Sequence, residues 1–153
     1  VYTVPYGVMV PKEVDNLLLP VPVSGSHIGF STLRMEPCWM AMGQAAGIAS
    51  ALSIDGKVKV QNIDLSRLQD KLIDQKATLM YFKDVDYTSP HFRMVQYLGL
   101  RGYLPEWTAR LQEPVDATTL AAWKKLSGTD LPGIEAGKTT RLATLEMIYR
   151  KIK

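Results

Sequence analysis

The chain has 153 residues, 46% of them hydrophobic and 22% charged, the balance of a globular protein with a real core. Its formal charge of +3 arises from interspersed acids and bases. The one basic cluster, "YRKIK" at the C-terminus, reads as a solvated helix end and not as a nucleic-acid surface. A single cysteine, Cys38, excludes an internal disulfide and any multi-cysteine metal site, and no apolar run reaches the length of a membrane span.

The opening "VYTVPYGVMVPKEVD" has neither an initiator methionine nor the regions of a signal peptide, so the chain reads as a piece of something longer. The apolar run "NLLLPVPV", Asn16 to Val23, suits a buried strand bent or ended by Pro20 and Pro22. "SGSHIGFSTLRME", Ser24 to Glu36, is rich in Gly and Ser and predicts an irregular loop. A helix follows from Pro37 to about Ser53 and stops near Asp55-Gly56.

Composition shifts after "DGKVKVQN", which places a boundary near residues 56 to 62 and divides the chain into residues 1–57 and 58–153. Beyond it the pattern is helical. Asp64 is an N-cap candidate ahead of the stripe Leu65, Leu68, Leu72 and Ile73. Ser89 and Pro90 start a short helix that buries Phe92, Val95 and Leu98 and stops at Gly102. Asp116 and Gly128 bracket another helix, and the last begins at about Thr139. The expected fold is mainly α with a small β portion: a strand-loop-helix piece, then a domain of helical hairpins.

The first helix, "MEPCWMAMGQAAGIASAL", contains Gly43 and Gly47 on one face. Each interior glycine costs a helix about 0.8–1 kcal/mol relative to alanine, so the pair asks for a compensating close neighbour. Two readings stand. Either the face packs tightly on a sheet or another helix, or the helix start, with its positive dipole end, is directed at an electron-rich ligand atom.

The run "VPYGVMVPKEVDNLLLPVPVSGSHIGFSTLRMEPCWMAMGQAAGIASAL" resembles the C-terminal end of the flavin domain in bacterial FAD-dependent oxidoreductases, some of whose relatives carry a xanthan lyase label. The likeness rests on "PYGVMVPKEVDNLLL", the "SHI" turn and "STLRMEPCWMAMGQAAG". It implies that the helix begins beside the isoalloxazine ring, with backbone amides around Cys38, Trp39 and Met40 facing the flavin. It also implies Arg34 near the ring or a bound anion, His27 near the substrate entrance, and Gly43, Gln44 and Gly47 allowing the helix to lie against cofactor and sheet. No Gly-x-Gly-x-x-Gly occurs in the chain, so FAD is expected in a full-length parent, held with the help of its upstream part, and not on this chain alone. The catalytic candidates are His27 and Arg34; neither His27 nor Cys38 shows a catalytic partner, and His91, Asp84 and Asp86 show no metal-binding spacing.

"YFKDVDYTSPHFRMVQYLGLRGYLPEWTARLQEPVDATTLAAWKKLSG", Tyr81 to Gly128, is similar to one degenerate S-layer homology repeat, and "TTRLATLEMIYRKI" echoes the start of that repeat's second helix. The likeness implies a helix pair cored by Phe92, Tyr97, Tyr103, Trp107 and Trp123. It also implies an accessory role, with a cell-envelope or polysaccharide ligand as the alternative function and a periplasmic or cell-surface location as its setting.

Overall fold

The computed structural model describes residues 2–153. Its six α-helices are α1 (His27–Leu33), α2 (Glu36–Gly56), α3 (Leu65–Asp74), α4 (Phe92–Leu100), α5 (Ala117–Ser127) and α6 (Arg141–Ile152). Single 3-10 turns lie at Tyr6–Met9 and Val60–Asn62. The chain forms two compact units, one ending at Ala77 and the other starting at Thr78.

The first unit is built on α2. Pro37 sits in its first turn, where a missing N–H costs nothing, and Lys57 ends it in the left-handed region at φ 51°. Met42, Ala46, Ala49 and Ser53 fall at helical spacing and bury one side together with Leu52. Met42 and Ala46 meet Met9, Val23 and Leu33 in a small core. Farther along, α3 packs on α2 and buries Leu68, Leu72 and Ile73, with Asp64 capping it through the N–H groups of Ser66 and Arg67. The N-terminal segment is held to residues 59–61 by hydrogen bonds: the Tyr6 hydroxyl donates to Val60 O at 2.9 Å, and Gln61 Nε2 donates to Val14 O at 3.0 Å.

The second unit closes on itself. α4 packs on α6, and Val95, Leu98, Leu104, Val115, Leu145 and Ile148 form a dry core. Trp123 of α5 joins it and donates its indole N–H to Tyr103 O at 2.7 Å. Arg141 lies buried with Nε donating to Ala109 O at 2.9 Å and its guanidinium 4.9 Å from the Trp123 ring centre. Burial, and then neighbouring Arg110, push its pKa down. The Asp84 carboxylate accepts from the Ala109 and Arg110 N–H groups at 2.8 and 2.7 Å, fixing the long connection between α4 and α5.

Five expectations are corrected. The strand over 16–23 does not form: Leu19 donates to Met9 O and Ser24 to Val8 O, but Pro20 and Pro22 bring no N–H and no ladder develops. The sole bridge among the described residues pairs Pro114 with Thr140, so the β portion of the expected fold is absent there. Part of the Ser24–Glu36 loop is instead α1, because the Ser26 hydroxyl caps it by accepting from Gly29 N–H and Leu33 anchors it in the core. The short helix starts at Phe92 and not at Pro90, after a tight turn in which Phe92 N–H donates to Ser89 O. Trp107, expected in the hairpin core, is 51% exposed because its backbone carbonyl is tied to Lys83 N–H in a surface loop. The compact units divide between Ala77 and Thr78, and α3 packs on α2 within the first of them.

Acid sensitivity follows from two solvent-facing carboxylates. The Thr119 hydroxyl, then its N–H, hold Asp116 below the ordinary carboxylate range, and Thr88 does the same for Asp86. A depressed folded-state pKa lends stability in full above the unfolded value of about 3.9, and that stability is lost as pH falls through the lower folded value. Asp116→Asn keeps the cap but not the charge. Urea unfolding should therefore show the variant less stable than the parent near neutrality, with the gap closing below about pH 3.9; a gap independent of pH would show that the charge contributes nothing.

Candidate functional site

Two of the predicted site residues face inward. Cys38 and Trp39 are half-buried and pack against the core of the first unit. The Cys38 and Trp39 N–H groups both donate to Met35 O, at 3.0 and 3.1 Å, so these amides have partners within the chain. The Trp39 indole N–H is buried without an acceptor. A buried donor of this kind normally has a partner, and here the described residues supply none.

The others face outward. Met40 is 75% exposed, and Gly43, Gln44 and Gly47 follow on the same side, continuing through Ser50 and Ala51 to Ile54, also 75% exposed. A Cβ added at Gly43 or Gly47 would meet nothing within 4 Å. Neither glycine is therefore packed tightly against the rest of the first unit. The two polar residues of the face are already engaged: Gln44 Nε2 donates to Gln75 Oε1 at 2.9 Å, and Ser50 Oγ donates to Ala46 O at 2.9 Å.

From Pro37 to Ile54 the helix carries no charged residue on any side. A helix uncharged on every side is suited to an interior, yet within the first unit only one side of α2 is covered. Before the helix start, Ile28 is 80% exposed and Met35 and Phe30 are exposed as well. His27 and Arg34 stand exposed at the two ends of α1, with Arg34 Nε donating to Ser31 O at 3.3 Å. Met40, Gly43 and Gly47 thus share the exposed side of α2, and Arg34 is exposed at the end of α1. That surface was not legible in the sequence, although Ser26, a good N-cap residue before a short run ending in Leu33, was a readable sign of α1.

A groove of about 420 Å³ lies at the other end of α2, lined by Ser53, Ile54, Lys57 and Lys59 among others, and no predicted site residue lines it. Among the described residues no group of three or more His, Cys, Asp or Glu side chains could hold a metal ion. No helix there is long and apolar enough to cross a membrane.

A family model described as FAD dependent oxidoreductase matches residues 1–72. The match ends inside α3, so it covers nearly all of the first unit and none of the second. No curated protein and no solved structure matches the chain. Residues 1–72 are thus similar to part of an FAD-dependent oxidoreductase, and the exposed side of α2 lies wholly within the similar region.

The open face gives a direct test in the chain itself. Gly43→Ala and Gly47→Ala should each stabilise the first unit by up to about 1 kcal/mol, since alanine improves helix propensity and restricts the unfolded chain where nothing obstructs a methyl group. Chemical denaturation reads this, and a loss of stability at either position would mean that the face is covered.

Proposed function

We propose that the chain is the C-terminal portion of an FAD-dependent oxidoreductase, in which the exposed side of α2 forms part of the wall around the flavin. The observation that carries this reading is the mismatch between a helix suited to an interior and the bare apolar side it presents, in the region where the family match lies. The residues fit one side of such a site. Gly43 and Gly47 leave a stripe free of side chains on which a flat ring or another backbone can rest, and Arg34 offers a cation beside the helix start.

The chain holds nothing for the pyrophosphate of the dinucleotide, because no Gly-x-Gly-x-x-Gly is present. That part of the site is assigned to the upstream part of the same protein. When bound, the flavin supplies hydride or electron transfer. The role of this chain is to position and to exclude water: Met40, Gly43 and Gly47 close the apolar side, and Arg34 holds negative charge, either at the ring margin or on an anionic substrate. His27 is assigned to the entrance.

Two measurements test the assignment. Purified alone, the chain should bind no FAD; a yellow protein with micromolar affinity would overturn the account of it as an incomplete site. In the full-length protein, Arg34→Ala should slow flavin reduction or weaken substrate capture with little change in melting temperature, because Arg34 is exposed and bonds only to its own helix. Unchanged turnover would remove Arg34 from the site.

The second unit has its own reading, an accessory module for a cell-envelope polysaccharide. The observation favouring it is the exposure of Tyr81, Tyr87 and Trp107, with the hydrogen bond from Lys83 N–H to Trp107 O bringing the segments of Tyr81 and Trp107 together. Exposed aromatic faces suit stacking on sugar rings. The xanthan lyase label carried by relatives remains a third reading, of the parent protein, for which the sequence offers no constellation suited to proton abstraction beside an acidic sugar. Co-sedimentation with insoluble cell-wall polysaccharide should fall when Trp107 becomes Ala; equal sedimentation would leave the unit without this role.

A further inference from the structure

The connection between the two units is tied on both sides. On the N-terminal side α3 ends in a left-handed cap: Lys76 has φ 63°, its N–H donates to Ile73 O at 3.0 Å, and Ala77 N–H donates to Leu72 O at 2.9 Å. This double bond pattern fixes the backbone through Ala77. On the C-terminal side stands Gln96, a fully buried side chain of α4. Its Oε1 accepts from the N–H groups of Leu79 and Met80, both at 2.8 Å, and its Nε2 donates to Met80 O at 2.7 Å. Each of the three bonds falls in the ordinary range, and the amide is nearly saturated.

Thr78 lies between these ties. It is exposed, and among the described residues neither its backbone nor its hydroxyl makes a hydrogen bond. We infer that the joint between the two units is confined to Thr78, with Gln96 acting as the clamp that sets where the second unit begins. Freedom at the connection is then about one residue's pair of backbone dihedrals. Gly99 supports the same boundary from the next turn of α4, since a Cβ there would come within 3.0 Å of Phe82, so the segment after the clamp lies close against the helix.

Residue-resolved amide hydrogen exchange on the full chain decides it. In the parent chain Leu79 and Met80 should exchange slowly while Thr78 exchanges freely. Gln96→Leu should speed exchange at Leu79 and Met80 by about tenfold, with the amides of Leu98 and Tyr103 still protected. Gln96→Glu, which keeps the acceptor but cannot donate to Met80 O, should fall between the two. Protection at Thr78 equal to that of Leu79 would overturn the inference in the parent chain alone, whether or not either variant folds. Unchanged protection of Leu79 and Met80 in a folded Gln96→Leu protein would overturn the clamp.

Discussion

The first unit is governed by a single constraint: a helix with no charged residue from Pro37 to Ile54 is suited to being covered on every side, and the unit itself covers one. The N-terminal segment and α3 supply that cover over Met42, Ala46, Ala49 and Leu52. The side left open is not a scatter of isolated apolar residues, which any surface tolerates. It follows one side of the helix from Met40 to Ile54.

The second unit shows what completeness looks like in the same chain. Its buried polar groups are matched: Gln96 by three backbone partners, Trp123 by Tyr103 O, Arg141 by Ala109 O. The one buried donor there without a hydrogen bond, Arg110 Nε, lies 4.0 Å from Glu113 Oε2. In the first unit the unmatched donor is the Trp39 indole, in the first turn of α2. The contrast in burial and the contrast in hydrogen bonding point the same way, although they arise from different physics.

What the sequence made legible was whatever depends on local chemistry. Asp64 and Asp116 cap their helices because a side-chain oxygen two or three residues before a free N–H is sufficient. Gly102 and Gly128 take positive φ just past α4 and α5 for a reason equally local. What was not legible needed partners far along the chain or outside it. Residues 16–23 have the composition of a strand, but a strand exists only when another backbone lies alongside, and Pro20 and Pro22 leave little to pair. Trp107 looked like a core residue by type, yet its position is decided by the bond between its carbonyl and Lys83. The candidate site was half legible: the glycine face was recognised, but the inward turn of Cys38 and Trp39 was not, because helical phase is fixed only once the buried side is known.

The two glycines then separate the explanations of α2. Together they weaken the helix by about 1.6–2 kcal/mol relative to alanine, and the chain offers no contact at either position that offsets this. Small residues alone could not distinguish close packing within the fold from close approach by something else. The open space at both positions does, since an internal partner would have to be visible and none lies within 4 Å. A helix that is weakened along one line, uncharged along that same line, and bare there has the properties of a contact surface whose other half is not in the first unit.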